Sequence, residues 1–122
     1  MIVKIGIDLV HIPRMRELVE REAFLARTFH PSELRDRRPM RLAGIFAAKE
    51  ALFKALGAPH QWLEVEVDHD PEGRPFLRLS PASAPPEILS LDLSVTHEGE
   101  YAVAVVVALL EGESAEANDD AG

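Results

Sequence analysis

The chain has 122 residues, 47% hydrophobic and 28% charged, with no cysteine and a formal net charge of −8. That length suits one domain with one core, and the absence of cysteine excludes a disulfide framework, a thiolate zinc site and a thiol nucleophile. Five acids and no base fall in the last twelve residues, EGESAEANDDAG, leaving 16 acids against 13 bases, or −3, which argues against non-specific nucleic-acid binding. Residues 1–110 therefore read as a single domain and 111–122 as an acidic, disordered tail. The lack of cysteine is compatible with a cytoplasmic setting.

IVKIGIDLV (2–10) reads as a strand, with Lys4 and Asp8 inside its apolar run, unlike the core of a signal peptide. Pro13 fits the first turn of a helix expected over residues 13–25. HPSELRDRRP (30–39) predicts a short helix with Ser32 as its cap, closed by Pro39. A longer helix follows over residues 41–56, with Gly57 placed as its C-terminal stop. WLEVEVDHD (62–70) alternates apolar and acidic residues as a half-exposed strand does, PEG (71–73) is a turn, and RPFLRLS (74–80) completes a hairpin. After the proline-rich loop PASAPPE (81–87), LSLDLSVTH (89–97) and YAVAVVVALL (101–110) form a second hairpin across EGE. The longest apolar run has ten residues, too short for a membrane span. Strand, helices, then hairpins predict an α+β fold, with helices on one face of a mainly antiparallel sheet.

The helix over 41–56 carries only three charges in its central and C-terminal turns. At 100° per residue, Leu42, Ile45, Phe46, Leu52, Phe53 and Leu56 form a large apolar stripe, and Ala43, Gly44, Ala47, Ala48, Ala51 and Ala55 a face of small residues. Glu50 and Lys54 fall at a seam between them, and Lys49 lies within the apolar stripe, from which its stem is expected to snorkel to the surface. Glu50 and Lys54 read either as an exposed i, i+4 pair or as groups that need a ligand or metal, since a covered charge requires a partner. Asp8 reads as a helix-capping or salt-bridging aspartate or, with Glu50, as a two-carboxylate Mg²⁺ site whose remaining ligands are water and phosphate. His97 falls on the strand face shared with Leu91, Leu93 and Val95. Arg14, Leu18 and Arg21, at i, i+4 and i+7, share one helical face, either solvated or a basic, part-apolar patch for an acidic partner helix. His11, His30, His60 and His69 show no metal-ligand spacing, and a serine-hydrolase elbow, a Walker loop and a GxGxxG fingerprint are all missing.

Three blocks, GIDLVHIPRM, LAGIFAAKEALFKALG and LDLSVTHEGEYAVAVVV, together resemble the holo-acyl-carrier-protein synthases, the small 4′-phosphopantetheinyl transferases. The resemblance implies transfer of the 4′-phosphopantetheine group of coenzyme A to a serine of an apo acyl carrier protein, in the service of fatty acid biosynthesis, with release of adenosine 3′,5′-bisphosphate. It implies Mg²⁺ held by Asp8 and Glu50, a catalytic set of Asp8, Glu50 and Lys54, and coenzyme A contacts from Lys54 and His97. It places the carrier on the first helix, at Arg14, Leu18 and Arg21, and the site between neighbouring subunits of a homotrimer. The chain departs from the family pattern at Ile45, where arginine is common, and in the shortened APHQW segment. Arg41, Arg38 or Arg37 is expected to supply the missing phosphate contact. The alternative reading is a non-catalytic coenzyme A or nucleotide-binding module with the same fold.

Overall fold

A computed structural model describes residues 1–57, 61–81 and 84–112. The first strand, β1 (Ile2–His11), runs directly into α1 (Ile12–Leu18), which has Pro13 in its first turn. A tight turn, closed by the Arg21 amide donating to the Leu18 carbonyl, leads to α2 (Glu22–Thr28). A 3₁₀ turn at Glu33–Arg35 precedes α3 (Pro39–Leu56), whose end is set by Gly57 at φ 62°, its amide donating to the Phe53 carbonyl. Only a glycine enters that left-handed conformation without a steric penalty. A second 3₁₀ turn, Trp62–Glu64, leads to β2 (Val65–His69) and β3 (Pro75–Leu79), followed by β4 (Ile88–Glu98) and β5 (Tyr101–Leu110).

The strands form two antiparallel sheets, one ordered β1-β5-β4 and a separate β2-β3 hairpin. In the first, Gly6 pairs with Val106, Asp8 with Ala104 and His97 with Ala102. The small residues Ala102, Ala104 and Ala108 point to the inner face and are fully buried, as is Val106. Against them lies the small face of α3, where Ala43, Ala47, Ala48 and Ala51 are also fully buried. Small residues on both surfaces bring helix and sheet close, and this is where the α+β layering is made. The other side of α3 is closed by an aromatic row in which Phe46 stacks on Trp62 at 4.7 Å and Trp62 meets Phe53 edge-on at 5.2 Å.

Four expectations are corrected. The single helix over 13–25 is two. In one straight helix Ile12 and Met15 would share one face, while Phe24, Leu25 and Thr28 would cluster on the opposite face. Yet all five residues are buried, so the chain turns after Leu18 to re-aim the second stripe. The 30–39 helix is only a 3₁₀ turn, and Ser32 does not cap it; its hydroxyl donates to the Glu66 carboxylate. The strand expected over 62–70 begins at Val65, because Trp62–Glu64 turn to set the indole against α3. Finally, Lys49 does not reach the surface: it is fully buried and bonded to Glu33, Thr28 and Trp62. Parts of three expected segments, at 58–60, 82–83 and 113–122, lie outside the described residues, including His60 and most of the acidic tail. Among the described residues, no helix is long and apolar enough to cross a membrane.

Candidate active site

Gly6 decides how near Asp8 comes to α3. A Cβ built at Gly6 would lie 1.9 Å from the Ala51 carbonyl oxygen and 2.8 Å from the Ala55 nitrogen. Only hydrogen fits there, so α3 rests on the β1 backbone and Asp8, two residues on, meets the helix. The Lys54 ammonium donates to Asp8 Oδ1 at 3.0 Å and to the Ile7 carbonyl at 3.0 Å. The Asp8 side chain is 15% exposed and that of Lys54 is 54% exposed, so this is a half-exposed cation reaching back to a sheltered carboxylate. Glu50, one helical turn before Lys54, lines a cavity of about 480 Å³ together with Asp8. Its other walls include Arg14, Met15 and Leu18 of α1, Phe24 and Arg27 of α2, and Phe46. Two carboxylates thus share a concave surface with two guanidinium-bearing residues, on an otherwise apolar lining.

A second cavity, of about 310 Å³, opens along α3 on another side. Arg38, Arg41, Gly44 and Ile45 form one wall, and Val67, His69, Val95 and His97 belong to the strands opposite. His97 Nε2 donates to the Met40 carbonyl at 3.2 Å, which requires the proton on Nε2. A Cβ at Gly44 would come within 3.0 Å of that nitrogen, so the helix is bare where the imidazole crosses it. Arg41 donates to the Glu33 and Asp36 carbonyls. Arg38 binds Asp36 through its guanidinium and its backbone amide, and these bonds, the guanidinium's foremost, hold the Asp36 carboxyl below the usual carboxylate range.

The predicted residues therefore separate into two groups. Asp8, Glu50, Arg14 and Leu18 share the first cavity, with Lys54 bonded to Asp8. Arg41 and His97 share the second with Ile45. Nine residues separate Arg41 from Glu50, so they project from opposite sides of α3, about 14 Å apart along its axis. Arg21 leaves the face it was expected to share with Arg14 and Leu18, because α1 ends at Leu18 and Arg21 sits at the N-terminus of α2. Arg27 lines the cavity, and helical spacing from Arg14 does not reveal it because the helix is broken between them. Lys54 binds Asp8 of β1, so its environment is not limited to an i, i+4 pairing with Glu50. Among the described residues, no three metal-ligating side chains gather to hold a cation alone. Two hard oxygen donors lining one cavity still fit Mg²⁺, which keeps waters and takes phosphate oxygens.

Residues 4–106 match the model of the 4′-phosphopantetheinyl transferase superfamily. The chain belongs to that superfamily. Among its relatives, the holo-[acyl-carrier-protein] synthase of Frankia alni is 42% identical over 114 residues, spanning 88% of this chain and 97% of that one. The ACPS–CoA complex of Chronobacterium ammoniagenes superposes with a TM-score of 0.78 at 31% identity, covering 92% of this chain and all of that one. The Helicobacter pylori holo-[acyl-carrier-protein] synthase in complex with coenzyme A superposes with a TM-score of 0.77 at 34% identity, covering 86% and 99%. This phosphopantetheinyl transferase thus has the α+β architecture of the synthases, with Asp8 of β1 and Glu50 of α3 in one cavity and Lys54 bonded to Asp8.

Proposed function

We propose that this transferase moves the 4′-phosphopantetheine group of coenzyme A to a serine of an apo acyl carrier protein, Mg²⁺-dependently and as a homotrimer. The observation that carries the reading is that Asp8 of β1 and Glu50 of α3 line one cavity with Arg14, while Lys54 of α3 is bonded to Asp8. Asp8 and Glu50 would hold the metal, which when bound neutralises the pyrophosphate and polarises the phosphorus under attack. The serine oxygen forms a bond to the phosphorus that bears the pantetheine, and the bridging P–O bond to the adenosine side breaks. The serine proton passes to a base in the cavity, and adenosine 3′,5′-bisphosphate leaves. Lys54 places an ammonium beside Asp8 and meets charge building on the departing phosphate, the kind of preorganised stabilisation on which phosphoryl transfer depends. Arg14 and Arg27, which line the cavity with Leu18, suit an acidic carrier surface.

Two observations support the homotrimer. Val3, Ile5, Ile7 and Leu9 lie 58% to 67% exposed along the outer face of β1, beside the exposed Val107 of β5. An apolar sheet face of that extent needs a cover, and a second copy of the chain supplies one. Arg41 and His97 also lie across α3 from Glu50, so a site that uses both groups takes them from two subunits. The experiment is to incubate the protein with apo acyl carrier protein, coenzyme A and Mg²⁺ and to weigh the carrier by mass spectrometry. A gain of one phosphopantetheine is expected. Coenzyme A binding without any gain, across a panel of carriers, would favour a non-catalytic binding module instead.

A further inference from the structure

The buried Lys49–Glu33 pair has no place in the chemistry above, yet it touches elements that form both cavities. The Lys49 side chain is completely buried and that of Glu33 is 1% exposed. The ammonium has three protons and three acceptors: Glu33 Oε1 at 2.7 Å, the Thr28 carbonyl at 2.9 Å and the Trp62 carbonyl at 3.2 Å. Glu33 Oε1 also accepts the His30 amide at 2.8 Å, and Oε2 accepts the Val67 amide at 2.8 Å. The Phe29 ring lies 5.5 Å from the ammonium. Burial pushes the Lys49 amine below its usual range, with Glu33 opposing that shift. A buried pair is a poor route to stability, but this one leaves none of its own donors or carboxylate oxygens unmatched.

Its partners are placed where the site is shaped. Thr28 ends α2, the helix that carries Phe24 and Arg27 into the first cavity. Val67 begins the stretch of β2 that sends Val67 and His69 into the second. The backbone carbonyl of Glu33 receives the Arg41 guanidinium, which lines that same cavity. Glu33 is thus linked to Arg41 through its main chain and to β2 and α3 through its carboxylate.

We propose that Glu33 and Lys49 are positioning residues for the second cavity, taken as the coenzyme A pocket: the pair fixes the Arg41 guanidinium and the Val67–His69 wall against the body of α3, and so sets co-substrate affinity without touching the co-substrate. The proposal rests on the transferase reading in taking coenzyme A as the ligand. Glu33→Gln tests it with almost no change in volume. A carboxamide has one acceptor oxygen, so its NH₂ must oppose either the Val67 amide or the Lys49 ammonium, and one link is lost.

Wild type, Glu33→Gln and a control matched for lost thermal stability, Val106→Ala beneath α3 and away from both cavities, are compared in transfer kinetics, coenzyme A calorimetry and amide hydrogen exchange. Glu33→Gln is expected to raise KM and Kd for coenzyme A on the order of tenfold, the cost typical of a group that orients a ligand-binding side chain. It should leave kcat within about threefold of wild type, and the Val67 amide should exchange faster while α3 stays protected. The Val106→Ala control should keep the wild-type KM. Equal coenzyme A affinity in wild type and Glu33→Gln, or an equal loss in the control, overturns the positioning role. A wild-type protein that binds coenzyme A without transferring sinks only the transferase reading, and one that does neither overturns both. If Glu33→Gln fails to fold, Glu33→Asp, which keeps the charge but cannot span from Lys49 to Val67, is measured against the same outcomes.

Discussion

Replacing Gly6 by alanine probes the contact that brings Asp8 to α3. The new methyl would lie 1.9 Å from the Ala51 carbonyl oxygen, and ordinary contact begins near 3.4 Å. Strand and helix must therefore separate by more than an ångström. The obstructing atoms belong to the helix backbone, so no side-chain rotation relieves them. Overpacking of this kind costs about 1–3 kcal/mol, a fall in Tm of roughly 4–15 °C for a domain of this size. The same shift lengthens the 3.0 Å bond between Lys54 and Asp8 and moves Glu50 away from β1. A misplacement on the order of 1 Å at a reacting centre can lower turnover about 10²-fold. Thermal melts and transfer kinetics, run well below the lowered Tm, separate the two effects. Gly6→Ala with wild-type Tm and turnover would refute the close-contact argument. So would rescue by Ala51→Gly, because removing that side chain leaves the offending carbonyl in place.

Glu50→Gln and Asp8→Asn should each abolish Mg²⁺-dependent transfer while the protein melts as a folded species; activity retained in both would remove the assigned metal site. Lys54→Ala removes an ion pair whose cation is half exposed, so its stability should change by about 1 kcal/mol, whereas transfer should fall on the order of 10²-fold; urea titration and kinetics read these separately. Arg14→Glu should raise KM for the carrier more than KM for coenzyme A, and Arg21→Glu should do so less, since only Arg14 lines the cavity. Equal effects at the two positions would contradict the geometry. Mixing refolded Glu50→Gln and His97→Ala chains should restore part of the activity that each lacks alone, and absence of recovery in verified mixed oligomers would place both residues in one subunit's site.

Much of the fold was legible because its signals are local. Alternation in WLEVEVDHD and the valine-rich apolar run YAVAVVVALL, with turns at PEG and EGE, located both hairpins to within a few residues. Gly57 marked the end of α3, because a left-handed cap is a property of one residue's backbone. Asp8, Glu50 and Lys54 were legible as a set only through the family blocks, since nothing in spacing joins residues 42 and 46 positions apart. The break between α1 and α2 was written in the two opposed apolar stripes, but a reading that looks for glycine or proline passes over it. Arg27, His69 and Glu33 carried no local mark. Each matters for which cavity, or which buried partner, lies opposite in space.

Sequence by itself determined the α+β class, the strand pairs within hairpins, the C-terminal stop of the key helix and the presence of a covered helix with three charges. These follow from periodicity and from single-residue backbone preferences, which act over a few residues. Tertiary structure decided what the charges do. It sent Lys54 to Asp8, buried Lys49 against Glu33, and set Arg41 and His97 on another side of α3 from Glu50. A charge takes the partner that packing brings within hydrogen-bond reach, and here packing turns on a glycine whose missing methyl lets a helix rest against a strand.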